Sequence, residues 1–159
     1  MDHDKQLRQQ LSTVLDWQEA HADLSAAVSD FPADLRGRVP EGLPHSAWQL
    51  LEHIRLALWD IVEFSRNPRH KSPEWPEGYW PKAPAPPNAA AWDHSVKSIR
   101  QHLDEMRELI NDPKHDLFAP IPHGSGQTLL RQALLIADHN AYHLGQLVLV
   151  RKALGAWKG

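Results

Sequence analysis

The chain has 159 residues, no cysteine and a formal net charge of −3; that length suits one domain, residues 1–159, able to bury a core without disulfide or metal staples. Lack of cysteine excludes disulfides, thiolate metal ligands and a cysteine nucleophile, and the interspersed charges form no basic stripe that would recruit nucleic acid. No run approaches the ~20 apolar residues that cross a bilayer, and the charged start "MDHDKQLRQQ" lacks a signal-peptide core, so a soluble cytoplasmic protein with neither nucleic-acid nor membrane partner is expected.

Taken in chain order, the apolar positions Leu7, Leu11, Val14, Leu15, Ala22 and Val28 mostly recur at helical spacing and predict a first helix from Asp4 to Ser29, ended by "DFP". Ser46, with Gln49 three residues on, has the form of a capping box. A broad apolar face through Leu50, Leu51, Ile54, Ala57, Leu58, Ile61 and Val62 then makes the second helix. From Arg66 to Asn88 the prolines forbid helix or central strand and leave a long extended connection. Trp92, Val96, Ile99, Leu103, Met106 and Ile110 alternate by four and three, the seam of a third helix that "NDP" closes. The fourth helix runs from near Thr128 to Gly155, with Arg151 and Lys152 suiting its C-terminal end.

Four such helices predict an all-α four-helix bundle. A helix of twenty residues spans about 30 Å, whereas a proline-rich connection of this length reaches ~60 Å or more. The connection between helices two and three can therefore run the length of the bundle, giving an up-down-down-up order in which helix two opposes helix four.

"DHNAYHLGQ" places His139 and His143 four residues apart in the fourth helix, where side chains at i and i+4 share one face and can aim at one point. His53, on the second helix among Leu50, Leu56 and Ala57, lies at or beside the inward face. Two readings stand. If helices two and four are antiparallel neighbours, the three imidazoles meet as metal ligands with coordination positions left open. Otherwise His53 is a core histidine bonded to a backbone carbonyl, and the other two are partly exposed.

The segments "SAWQLLEHI" and "HNAYHLGQLVLVRKALG", with the order of the helices and the long crossover, resemble the DinB-like superfamily of small bacterial four-helix bundles, which includes the YfiT-type metal-dependent hydrolases. The resemblance implies that His53, His139 and His143 bind a divalent transition metal, zinc or nickel foremost. It also implies diverse chemistry, including transferases and isomerases that use low-molecular-weight thiols.

Three neutral imidazoles leave the ion its full charge, so it can activate a bound water or thiol. Glu52 and Asp138, the carboxylates nearest in sequence, point about a hundred degrees away from the adjacent histidines, so no general base for water is evident. A thiol needs less help, and this favours thiol transfer over hydrolysis of a small-molecule substrate. The rival reading is a non-enzymatic metal-binding or stress-response protein. Ordinary imidazoles titrate near 6.5, so acid lability below that pH is expected.

Further expectations concern the surroundings. His21 reads as a boundary residue in preference to a fourth ligand or a partner behind the ligands, and Gln146 as the donor or acceptor of an interhelical hydrogen bond in preference to a contact with the bound species. Gly145 suggests close helix approach, inside the bundle or across a homodimer. "HGSGQT" caps the fourth helix, and the histidines at 3, 70, 94, 102 and 115 read as exposed. The loops before helices two and three and the C-terminal "GAWKG" are expected to form a pocket mouth near His53, with Trp80 and Trp157 as apolar walls and Arg36 or Arg38 offering charge.

Overall fold

A computed structural model describes residues 2–16 and 20–157. Among them the elements are helices α1 (His3–Val14), α2 (Leu24–Val28), α3 (Ala47–Arg66), α4 (Ala89–Asn111) and α5 (Leu129–Ala153), with 3-10 turns at Ala33–Leu35 and Glu77–Tyr79. Among the described residues the fold is all-α apart from one isolated bridge between Pro120 and Thr128.

The expected first helix is broken. α1 stops at Val14, and α2 begins afresh at Leu24, where the Asp23 carboxylate accepts from the Ala26 amide at 2.7 Å. The physical reason is a lapse in the apolar pattern: three, four and seven residues past Leu15 stand Gln18, Glu19 and Ala22, and an aspartate at an N-cap starts a new helix more readily than it continues an old one. The part of the expectation that falls on residues 17–19 lies outside the described residues.

α3 is the central helix. Its N-terminus carries the full capping box, with the Ser46 hydroxyl accepting from the Gln49 amide and the Gln49 side chain accepting from the Ser46 amide. Leu50, Leu51, Ile54 and Leu58, each at most 2 % exposed, fill the seam against Ile99, Met106 and Ile110 of α4 and Ile136 and Leu147 of α5. Ser46 is itself fully buried and also donates to the carbonyl of Pro84 in the long connection. Ser46→Ala is therefore expected to lower stability by about 1–2 kcal/mol, the upper range of a lost N-cap, measured as a fall in the urea midpoint.

Side-chain contacts fix the helix directions. Along α3 and α4 the partners rise together, from Glu52 with Ser95 at 2.6 Å to Arg66 with Glu105 at 3.2 Å, so these helices are parallel. Between α3 and α5 they run oppositely: His53 meets His143, while the Phe64 carbonyl, eleven residues further on, meets His123 just ahead of α5. α1 is antiparallel to α4, since Arg8 donates to the carbonyls of Ile110 and Asp112 while Arg107 reaches back to Ser12. The long connection between α3 and α4 thus carries the chain back to the end of the bundle where α3 began.

α5 is apolar on more than its core face. Leu134, Tyr142 and Leu149 are 50 %, 65 % and 52 % exposed. A Cβ added at Gly145 would meet nothing within 4 Å, so that glycine serves no close approach inside the bundle. His70 and His102, expected at the surface, are covered: the His70 side chain is 7 % exposed beside Asp60, and His102 lies buried beside Glu105. His70 is satisfied by the Asp60 carboxylate on α3 at 2.7 Å, whereas His102 lies 4.0 Å from Glu105 on its own next turn and has Ser98 Oγ 3.4 Å from its Nδ1.

Candidate metal centre

His53 is six residues past the start of α3, about 9 Å along it, and His139 and His143 stack one turn apart on the facing side of α5. The ligand nitrogens of all three lie within 4.8 Å of one another. His53 Nε2 is 3.1 Å from His143 Nε2 and 3.1 Å from His139 Nε2. His53 is 2 % and His143 9 % exposed, and His139 is half-buried.

The other ring nitrogens show what these three face. His53 Nδ1 lies 2.9 Å from the backbone carbonyl of Tyr79, which can only accept, so the hydrogen sits on Nδ1 and the neutral ring turns a bare lone pair at Nε2 toward the centre. His143 Nδ1 lies 2.7 Å from the Gln146 carbonyl oxygen, whose amide nitrogen points to the Tyr142 hydroxyl at 3.4 Å. With the amide reversed, His143 Nε2–H would donate to His53; with the amide oxygen facing the ring, His143 too presents a bare Nε2, and a cation between the two nitrogens at 3.1 Å relieves their repulsion.

A proton fills that role poorly. Burial first, and then the neighbouring imidazoles, push His53 down to about 4, partly opposed by the Tyr79 carbonyl; burial and His139 push His143 down to about 4 as well, and burial also lowers His139. At neutral pH the rings are uncharged, the form that ligates metal. Imidazole nitrogens bound to one ion at ~2.0–2.1 Å sit roughly 2.8–3.4 Å apart across octahedral to tetrahedral angles; both separations from His53 Nε2, 3.1 Å each, lie in that range, and the His139–His143 pair lies within 4.8 Å. The three residues fit a divalent ion.

The walls come from the loops. Trp80, in the long connection, stacks on His53 with ring centroids 3.8 Å apart and 6° between planes, and His45 stacks on the outer face of Trp80 at 4.2 Å. The loop before α3 and the last turns of α5 meet nearby at a recess of about 60 Å³ edged by Pro44, His45, Leu50, Gln146 and Val150. A far larger groove of about 610 Å³ lies at the opposite end of the bundle, beside Arg8 and Asn111, so size does not locate the chemistry. Two wall expectations change: Arg36 is committed elsewhere, its guanidinium over Trp92 at 4.8 Å and donating to the Phe31 carbonyl, and Trp157 packs over Arg151 and Lys152 further along α5. Arg38 is exposed.

Gln146 bonds within its own helix rather than between helices, because position i+3 from His143 puts its amide beside Nδ1. His21 is exposed and contacts the Ala22 carbonyl. Glu52 is tied to Arg55 and Ser95, and among the described residues no carboxylate oxygen joins the close group of three imidazoles. Two participants had escaped the sequence reading. His45 carried no spacing signal, and the Tyr79 carbonyl is a group that every residue possesses.

Comparison with known proteins gives one match. The family model of the DinB superfamily covers residues 16–147, a span that contains α3, α4 and all three imidazoles. No curated protein and no solved structure matches the chain.

Proposed function

Because the chain belongs to the DinB superfamily, we propose that His53, His139 and His143 hold a divalent transition metal, zinc or nickel, in an enzyme that activates a thiol, or less readily water, toward a small-molecule substrate. The observation that carries the reading is the convergence of three imidazole nitrogens within 4.8 Å of one another, two of them 3.1 Å from His53 Nε2, with the Nδ1 positions of His53 and His143 already engaged. A bound ion would supply Lewis acidity, lowering the pKa of a coordinated thiol or water.

The chain's own residues do the rest. The Tyr79 carbonyl and Gln146 hold two rings in the ligating tautomer, and Trp80 covers one face of His53 and excludes water from it. Absence of a carboxylate from the imidazole group favours a thiol, which metal coordination deprotonates without a separate base. A homodimer joined through the outer face of α5 and a cytoplasmic setting belong to the same proposal.

The test is metal analysis of the purified protein followed by turnover of the metal-loaded form, with small thiols offered to electrophiles and with esters and amides offered to water. Stoichiometric metal and a metal-dependent thiol-transfer rate are expected. Metal uptake without any metal-dependent rate would favour the non-enzymatic metal-binding or stress-response reading, and failure to take up zinc or nickel at neutral pH would end both.

A further inference from the structure

The long connection does more than return the chain to the start of α4. Asp60 lies on α3 seven residues after His53, two turns along the same face and about 10 Å away. Its two carboxylate oxygens are each taken by the connection: Oδ1 by His70 Nε2 at 2.7 Å and Oδ2 by the Tyr79 hydroxyl at 2.7 Å. The side chains are covered, 13 % exposed for Asp60 and 7 % for His70, and Trp59 packs edge-on against the His70 ring at 5.1 Å. The residue whose hydroxyl is pinned in this way is the one whose backbone carbonyl accepts from His53 Nδ1.

We propose that Asp60 and Tyr79 are positioning residues for the metal centre, clamping the connection in the register that presents the Tyr79 carbonyl to His53 Nδ1 and so fixing His53 in its ligating tautomer. The inference rests on the metal-binding reading for its importance, although not for its geometry. Tyr79 closes the 3-10 turn, where a slip of one residue moves a carbonyl by about 2 Å and swings it about a third of a turn around the axis, which turns it away from Nδ1. With that acceptor gone, the hydrogen is free to move to Nε2, where it blocks the lone pair. The carboxylate matters because it accepts from both partners at once; an amide in its place can accept through one atom only.

The experiment compares wild type, Tyr79→Phe, Asp60→Asn and the control Ser95→Ala, which removes a buried bond between α4 and α3 without touching the connection. The metal-free proteins are examined by two-bond proton–nitrogen correlation NMR of the imidazoles, and zinc affinity is measured by competition with a chelator. The expected result is a pure Nδ1–H tautomer for His53 in wild type and Ser95→Ala and a mixed one in Tyr79→Phe and Asp60→Asn. Those two variants should also bind zinc about 10–100-fold more weakly, the usual loss when a partner of a ligating histidine is removed. An unchanged tautomer in both variants, or an equal loss of affinity in Ser95→Ala, would overturn the assignment. If wild type binds neither zinc nor nickel the proposed function fails, and the NMR comparison alone still decides whether Asp60 and Tyr79 position His53.

Discussion

Replacing His143 with alanine is expected to weaken zinc or nickel binding by well over the ~100-fold that loss of an outer partner brings, while His115→Ala, at an exposed residue whose imidazole meets the Leu109 carbonyl, leaves it unchanged. The stability readout is larger still. A ligand that binds only the folded state at about a thousand times its Kd adds about 4 kcal/mol, which for a chain of this size raises Tm by roughly 8–16 °C. That increment should be present in wild type and His115→Ala and absent in His143→Ala. Equal metal-induced shifts in the two variants would contradict the assignment of the site.

Acid should release the metal later than ordinary histidines would allow. At pH 5.5 an imidazole with its usual pKa near 6.5 is about nine-tenths protonated, so three of them would each weaken binding about tenfold and together about a thousandfold. His53 and His143 are held down to about 4 and contribute almost nothing at that pH; His139 is also lowered. The expected loss between pH 7.5 and 5.5 is therefore less than about tenfold, with release concentrated toward pH 4, as equilibrium dialysis would measure. This revises the lability near 6.5 that the sequence suggests, since burial has moved the titration. The sign for folding follows from the same groups. Between 6.5 and about 4 the unfolded chain binds more protons than the folded one, so the metal-free protein loses stability as pH falls through that window and levels off below it. Half-release of metal near pH 6.5 would show that the rings are more hydrated than the structure places them.

The helices from Ser46 onward were legible because their signals are local: a capping box, an apolar seam, a proline-rich break. His139 and His143 were legible for the same reason, as a spacing on one helix. Bringing His53 to them required the relative direction of α3 and α5, which the length of the connection suggested and no residue states. What could not be read is whatever depends on a distant partner. The burial of His70 is set by Asp60 across the connection, and the tautomer of His53 is set by a backbone carbonyl 26 residues away. The break after α1 was legible in principle, as a gap in the apolar pattern past Leu15, but helical spacing resumed at Leu24 closely enough to bridge it on paper.

The connection that carries Tyr79 and Trp80 holds seven of the thirteen prolines in the chain, at 68, 73, 76, 81, 84, 86 and 87. A proline in a conformation it can adopt narrows the unfolded ensemble and stabilises the fold by roughly 0.4–1 kcal/mol without making any contact. Seven of them remove on the order of 3–7 kcal/mol from the conformational entropy that ordering so long a loop would otherwise cost. The segment that sets the tautomer of His53 is thus stiffened before the chain folds, and its order over the metal centre is in part a property of the denatured state.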